Sequence, residues 1–514
     1  MIRLQSYLAG RWQDGNGPGT KLVDPVTAET LASASGDGLN MAEALDHARA
    51  KGGPALRALT FAGRAALINE VAGVLTENRE RYNALSLANS GTTAHDTMLD
   101  VDGGIGTLKY YASIGRKLGE VHTLAEAGIE QMNKDENFRG MHLWTTVRGV
   151  AVHINAFNFP SWGLWEKAAV ALLAGVPFLA KPATATALVA YEMFKDVIAK
   201  GVLPEGAASL LCGGGRDLME HLKPGDLVSF TGSADTALML RSHPNVQASN
   251  IRFAVEADSL NLCALGPDAG PDSVEFGAFV KEVTRELTIK SGQKCTAIRR
   301  ILVPRERVEA VIAALSASLA KIKQGDPRDE SVRMGPLVNA SQTQAALDGL
   351  AQLKAEARVV VGGGEAKGCF LPATVLLCDQ PMTGKAVHEI EVFGPVATLM
   401  PYDSVDQAIA LAHKGGGSLA ASVFSGDAGF NATFVPAIAT AHGRVQVVDA
   451  VVAGGHTGHG VVMPHCIHGG PGRAGGGEEL GGLRGLRFYM QRTAIQANKA
   501  TLDAFIAKSA TVSL

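Results

Sequence analysis

The chain predicts two successive α/β units, each built on a parallel sheet covered by helices on both faces, with a small peripheral β element. Three observations lead there. From about Thr146 short aliphatic runs alternate strictly with longer helical ones, which is the pattern of βαβ units. The alternation restarts near Leu262 and ends near Val448, so a second unit follows the first. The 514 residues exceed what a single core fills, so two or three domains are expected.

Taken in order, Val147 to Ile154 is an aliphatic run of strand length, Ser161 to Ala174 a stretch of helical length, Pro177 to Lys181 a strand and Ala185 to Lys200 a helix. Ala208 to Cys212, Leu227 to Phe230 and Ile251 to Val255 are further strands, separated by the helical stretches Asp217 to Leu222 and Ala234 to Arg241. In the second unit the amphipathic helix Asp272 to Lys290 precedes the strand Arg300 to Val303 and the helix Glu306 to Ile322. The strands Val359 to Val361, Ala397 to Met400 and Ser418 to Phe424 follow, with the helix Val405 to Lys414 between the last two. Two segments lie outside both units: Asn137 to Arg148, and Leu486 to Ala497 with its β-prone Phe488-Tyr489-Met490-Gln491-Arg492-Thr493. A lone strand at the periphery needs a partner, so subunit pairing is their expected use.

Composition narrows the function classes. A hydrophobic fraction of 46% and a formal charge of -3 give no bias toward nucleic acid, an anionic membrane or a polyanion, so small molecules are the expected partners. The six cysteines contain no C-x-x-C pair, which argues for reduced thiols in a cytoplasmic protein and against a disulfide framework or zinc ribbon. The N-terminal segment has no apolar h-region and no run reaches membrane-spanning length, so neither a secretory signal nor a membrane span is expected. The 60 glycines have no fixed period and stand at the ends of apolar segments, as turns and close backbone approaches do.

Ligands of parallel sheets bind at the carboxyl ends of the strands. Asn158, Lys181, Thr231-Gly232-Ser233 and Glu256 all follow predicted strands, so they share one edge. The turn Ser291-Gly292-Gln293-Lys294-Cys295-Thr296-Ala297, directly after a long amphipathic helix, presents one cysteine on a small glycine-bearing loop. Cysteine, carboxylate and amide together suit acyl chemistry: a thiolate attacks a carbonyl, an amide N–H holds the oxyanion, and a carboxylate activates water. Each has a plainer reading. A lone cysteine is often structural, Glu256 could be a solvated strand end, and Asn158 a turn residue before Pro160. Two louder signals read as decoys. Gly470-Pro471-Gly472-Arg473-Ala474-Gly475 fits G-x-G-x-x-G but follows no clean strand. The cluster His456, His459, His465, Cys466 and His468 matches no metal spacing, so no metal is expected and the segment reads as a glycine-rich loop covering a cleft.

The run Asn158-Phe159-Pro160, Lys167, Lys181-Pro182, Phe230-Thr231-Gly232-Ser233, Glu256, Gly292-Gln293-Lys294-Cys295 and Glu391-Val392-Phe393-Gly394-Pro395 resembles the aldehyde dehydrogenase superfamily in order and spacing. Gly10-Arg11-Trp12 and Asp24-Pro25-Val26-Thr27 extend the likeness to nearly the whole chain. The resemblance implies a Rossmann-like cofactor domain (1–136 and 149–258), an α/β catalytic domain (259–470) and a small β oligomerisation element (137–148 and 486–514). It implies Cys295 as nucleophile, Glu256 as general base, and Asn158 with the Cys295 backbone N–H as oxyanion hole. Lys181 would bind the adenine-side ribose, Ser233 the pyrophosphate and Glu391 the nicotinamide ribose, with Gly232 and Phe393 completing the cofactor set; Lys167 and Glu479 resemble a proton-relay pair.

Two departures from the family pattern stand out. Glu256 is followed by Ala257-Asp258-Ser259-Leu260-Asn261 where the family has leucine and two glycines, so the hinge beneath the glutamate should be stiffer. His468-Gly469-Gly470-Pro471 replaces the usual Pro-Phe-Gly-Gly element. Both variants resemble the branch that oxidises semialdehydes carried as CoA thioesters after aromatic ring cleavage, and 514 residues leave no room for the hydratase fused to some members. The expectation is therefore a cytoplasmic homodimer that oxidises a CoA-linked aldehyde to its acid. NADP is the expected cofactor, because Thr184 stands where NAD-preferring relatives place a glutamate that would repel a 2′-phosphate. A threonine that merely caps the helix Ala185 to Lys200 would predict no such preference. A CoA-acylating dehydrogenase, a non-redox cysteine hydrolase or acyltransferase, and a catalytically idle protein of the same fold are the alternatives; the retained Glu256 speaks against the first.

Overall fold

In the computed structural model, which describes residues 2–513, the first set of aliphatic runs becomes a seven-stranded sheet. Its order is Arg252–Glu256, Leu227–Thr231, Ala151–Ile154, Phe178–Lys181, Ala208–Leu210, Ser6–Leu8 and Arg11–Gln13. The first five strands are parallel. The last two form an N-terminal hairpin that joins antiparallel, so the sheet is not wholly parallel as the alternation from Thr146 suggests. Trp12 on that hairpin packs its ring against Tyr191 and Phe194 of the helix Ala187–Lys200, with centroids 5.5 and 6.3 Å apart.

The second sheet has the order Arg358–Gly362, Thr374–Leu377, Val396–Tyr402, Ile298–Pro304, Asn261–Leu265, Ser418–Phe424 and His442–Val448. It is parallel except for its first pair. Val396–Tyr402, Ile298–Pro304 and Ser418–Phe424 are buried along their whole length, which is why they lack the alternation of a half-exposed strand. Thr374–Leu377 and the helices Ala340–Leu353 and Ala428–Ile438 belong to this unit and stand out weakly in the sequence. Among the described residues no single helix is long and apolar enough to cross a membrane.

Several expected boundaries move. The strand Val147 to Ile154 begins only at Ala151; before it Val147 donates to the carbonyl of Tyr489 at 3.3 Å. Asp217 to Leu222 shrinks to the single turn Leu218–His221. Thr184 does not cap a helix beginning at Ala185. It opens a tight turn, Thr184–Thr186, and the helix starts at Ala187, while Thr186 Oγ1 donates to the Phe157 carbonyl at 2.8 Å. The two peripheral segments are not lone strands. Phe138–Thr146 and Met490–Asn498 pair antiparallel over their full length, from Phe138 opposite Asn498 to Thr146 opposite Met490. Each thus satisfies the other's backbone within one chain, in a five-stranded sheet whose outer edge is Met490–Asn498.

The strand that feeds the site is fixed at its start by a buried carboxylate. Asp226, 2% exposed, accepts from the backbone N–H of Val150 at 2.8 Å and of Lys223 at 2.7 Å, and pairs with the guanidinium of Arg49. Asp226→Asn removes the buried one of the two carboxylates that Arg49 pairs with, leaving it the exposed Asp46, and we expect a loss of about 3 kcal/mol, read as a lower urea midpoint. An unchanged midpoint would refute the pinning role.

Candidate active site

The helix Val274–Thr288 ends in three consecutive left-handed residues: Lys290 (φ 51°), Ser291 (φ 53°) and Gly292 (φ 69°). Residues with a Cβ enter this region only when their surroundings hold them there. Ser291 Oγ donates to the Gly335 carbonyl at 2.7 Å, and the Lys290 carbonyl accepts from Gln293 N at 3.0 Å and Nε2 at 3.1 Å. Gly292 is required as such, since a Cβ there would lie 2.3 Å from the Gly394 carbonyl oxygen. Beyond the turn, Arg299 donates to the carbonyls of Gly292 (2.8 Å), Lys294 (3.2 Å) and Gly394 (2.7 Å). Lys294 is buried against both oxygens of Glu286, at 2.7 and 2.8 Å. Asn261 Nδ2 donates to the Cys295 and Ala297 carbonyls, each at 2.8 Å. Backbone restraints on every side thus present a partly exposed Cys295.

Cys295 faces a small cavity of about 50 Å³ that Asn158, Glu256, Lys167 and His468 also line. Asn158 is buried, and its Nδ2 has no protein partner, so the donor is free for an oxyanion formed at the thiol. Glu256 is buried too, not a solvated strand end, and its Oε2 lies 3.0 Å from His468 Nε2. Burial works against the Glu256 carboxylate, but the charge and hydrogen bond of His468, with Lys167 behind, pull it down to about 2. Burial also opposes a charged His468, yet the Glu256 carboxylate outweighs it and raises the imidazole above its ordinary value. Burial, reinforced by the Glu256 anion, pushes the Cys295 thiol well above 9.0. Ligand-type atoms of Glu256, Cys295 and His468 lie within 4.8 Å of one another, with Glu256 Oε2 and His468 Nε2 directed at each other.

Behind Glu256 lies a second charged group. Lys167 Nζ stands 3.0 Å from Glu479 Oε2 and 3.4 Å from Glu166 Oε1, and donates to Thr231 Oγ1 at 3.0 Å. Glu479 also accepts from Ser229 Oγ. Burial, eased by Lys167 and worsened by Glu479, brings the Glu166 carboxyl up to about 7. His468 and Glu479 sit opposite each other on a two-stranded ribbon, Ile467–Gly469 with Glu478–Leu480. One ribbon therefore delivers one side chain to Glu256 and the other to Lys167.

A larger cleft opens on the other side of Cys295, Asn158 and Glu256. Of the residues expected to hold a cofactor, Lys181, Gly232, Ser233, Glu391 and Phe393 line it; Thr184 does not, although Ala183 beside it does. Ser233 caps the helix Ala234–Arg241 by accepting from Thr236 N at 3.4 Å, and Asp258 Oδ1 accepts from Ala234 N at 3.0 Å. Burial lifts the Glu391 carboxyl to about 7 against the pull of Arg299, whose Nε lies 3.7 Å away. The segment after Glu256 is tied down: Ala257 N donates to Ala474 at 3.1 Å, Ser259 N to Glu391 Oε2 at 3.1 Å, and Ser259 Oγ to Asn261 Oδ1 at 2.7 Å.

The G-x-G-x-x-G segment threads between the two sheets. A Cβ on Gly475 (φ 104°) would lie 2.3 Å from the Val255 carbonyl oxygen, and Gly477 N donates to that oxygen at 3.1 Å. Its glycines permit close packing, and its Arg473 reaches the larger cleft. The histidine cluster disperses: His459 Nδ1 pairs with Ser422 Oγ at 2.6 Å, His465 packs its tilted ring against Tyr110, and His468 alone of the cluster joins the cavity beside Cys295. Sequence reasoning missed His468, Glu166 and Arg299 as site groups. The signal for His468 was its place opposite Glu479 across a glycine-rich turn, readable as a hairpin.

The family model described as "Aldehyde dehydrogenase family" matches residues 12–495. The chain is 52% identical over 479 residues, 91% of its length and 93% of the relative's, to the 3,4-dehydroadipyl-CoA semialdehyde dehydrogenase of Aromatoleum evansii. Its fold is similar to that of a Staphylococcus aureus betaine aldehyde dehydrogenase variant in complex with NAD+, at a TM-score of 0.83 and 25% identity, covering 97% of this chain and 96% of that one. A lactaldehyde dehydrogenase structure shares the fold at a TM-score of 0.84 and 21% identity, covering 96% and 99% of the two chains.

The charges around Cys295 predict how the thiol titrates. Because burial and Glu256 both disfavour the thiolate, alkylation by iodoacetamide in the free enzyme should keep climbing as pH rises past 9.0, and Glu256→Gln should bring the apparent pKa down. A plateau below pH 9.0 in the unmodified protein would contradict the arrangement.

Proposed function

The chain belongs to the aldehyde dehydrogenase family, and we propose that its reaction is the NADP-dependent oxidation of a CoA-thioester semialdehyde, 3,4-dehydroadipyl-CoA semialdehyde, to the carboxylic acid. One observation carries this reading: Cys295 lies where a large cleft on one side meets a smaller cavity on the other, with Asn158 and Glu256 lining both. The cavity continues through Trp162 and Val462 into an open, mainly apolar mouth lined by Met98, Tyr110 and Met463. An acyl chain fits that mouth with its aldehyde carbon at Cys295 and its CoA outside. The relative's printed substrate supports the choice, as does the aromatic-degradation branch already indicated by the residues after Glu256.

In this reading the Cys295 thiol loses its proton to bulk water and the thiolate sulfur adds to the aldehyde carbon. The oxyanion is held by Asn158 Nδ2 and the Cys295 backbone N–H. The bound nicotinamide supplies a hydride acceptor. Glu256 then directs water at the thioacyl carbon, and Lys167 with Glu479 balances charge behind it. The larger cleft suits a dinucleotide: Glu391 and Arg473 each offer a polar atom without a hydrogen-bond partner, and Lys181 and Ser233 line its wall. The CoA-acylating alternative has no use for a buried carboxylate beside the thiol, and a non-redox hydrolase has none for the larger cleft. The proposal includes a cytoplasmic homodimer joined through the Phe138–Thr146 and Met490–Asn498 element.

NADP is favoured over NAD because Lys181 lines the cleft, buried enough that its pKa is lowered, and a 2′-phosphate would pair with its ammonium. Steady-state rates with both cofactors test this: NADP should be the more efficient. Equal efficiencies in the unmodified enzyme would overturn the preference. For the chemistry, Cys295→Ala should abolish turnover. Glu256→Gln should give up to one equivalent of reduced cofactor per site before stalling as an acyl-enzyme visible by intact mass. Normal turnover in the glutamine variant would remove Glu256 as the base.

A further inference from the structure

The imidazole of His468 is buried in the reaction cavity, with Nε2 3.0 Å from Glu256 Oε2 and a ring nitrogen within 4.8 Å of Cys295 Sγ. Its surroundings are strongly charged. Glu256 faces it from the strand Arg252–Glu256, Cys295 from its turn, Glu166 and Lys167 from the helix Trp162–Ala174, and Glu479 from the opposite strand of the ribbon. A carboxylate facing an imidazolium is a poor proton acceptor, because the added proton must displace a favourable ion pair. Glu256 serves well as a base only while His468 is neutral. The two groups therefore cannot be assigned separate protonation states.

Resting on the aldehyde dehydrogenase reading, we propose that Glu256 and His468 form one proton-accepting dyad in which the proton taken from the hydrolytic water ends on His468. The water oxygen bonds to the acyl carbon, the carbon–sulfur bond breaks and Cys295 leaves as the thiolate. One water proton passes to Glu256 and on to His468 Nε2, across the 3.0 Å contact between the two groups. The other water proton departs with the carboxylic acid and is lost on its ionisation. The dyad must shed its proton before the next hydrolysis. Acyl-enzyme breakdown should therefore rise with pH through an apparent pKa that belongs to the pair, above the ordinary imidazole value. His468 touches the reacting region through Glu256, so its contribution should vanish once Glu256 cannot ionise.

The test uses the full-length enzyme with NADP and a straight-chain aliphatic aldehyde, following reduced cofactor in the first turnover and at steady state. His468→Gln, which keeps a hydrogen-bond donor but cannot ionise, should retain a first-turnover burst near one equivalent per site. That burst also counts correctly folded sites. Its steady-state rate should fall about 10- to 100-fold and lose the rise with pH across the neutral range. In the Glu256→Gln background the second substitution should cost nothing further. An unmodified steady-state rate and pH profile in His468→Gln would overturn the dyad, as would losses that multiply in the double variant. A missing burst would place His468 in the first half-reaction and overturn it as well. Absence of reduced cofactor from the unmodified protein with every aldehyde tried would instead sink the dehydrogenase reading, and the dyad with it.

Discussion

The buried guanidinium of Arg299 is the constraint on which the site's geometry depends. It stands on the strand Ile298–Pro304, near the middle of the second sheet, and its fork gathers the carbonyls of Gly292, Lys294 and Gly394. These carbonyls belong to the cysteine turn and to the rim of the larger cleft, so a single planar cation fixes where the Cys295 thiol lies relative to Glu391 and Phe393. A lysine could not do this, since a point charge lacks the fixed fork that reaches three acceptors at once. Burial lowers the Arg299 pKa, and Glu391 partly restores it.

Around this frame the site concentrates charge that water would otherwise stabilise. Cys295, Glu256, His468, Lys167 and Glu166 line one cavity, and their protonation states are set by one another as much as by burial. The thiol pays for proximity to Glu256 with a raised pKa, while the imidazole holds Glu256 ionised. Such opposed shifts in neighbouring groups are typical of sites that move protons. The stiff segment Ala257 to Asn261 fits the same picture, because tight hydrogen bonding limits how far Glu256 can swing from its partner.

Much of this was legible in the sequence because it is locally encoded. The cysteine turn announces itself through Ser291 and Gly292, and Glu256 and Lys181 fall at strand ends whose aliphatic runs are plain. Most strands and helices of both sheets appear where the apolar pattern puts them. What was not legible depends on long-range pairing. The N-terminal hairpin joins a sheet whose other strands begin far along the chain, and Phe138–Thr146 finds Met490–Asn498 within its own chain. His468 was discounted as part of a metal-like cluster, because only the ribbon that sets it opposite Glu479 shows which histidine enters the cavity. Thr184 follows a strand end as expected, yet the extra turn Thr184–Thr186 leaves it off the cleft wall.

The ribbon Ile467–Gly469 with Glu478–Leu480 belongs to neither large sheet, yet it inserts side chains into both charged groups of the site. Its connecting turn threads between the two sheets, so the ribbon is held by both cores at once. Exchanging only His468 and Glu479 would redistribute the charge around Glu256 and Lys167 without touching the turn that carries Cys295.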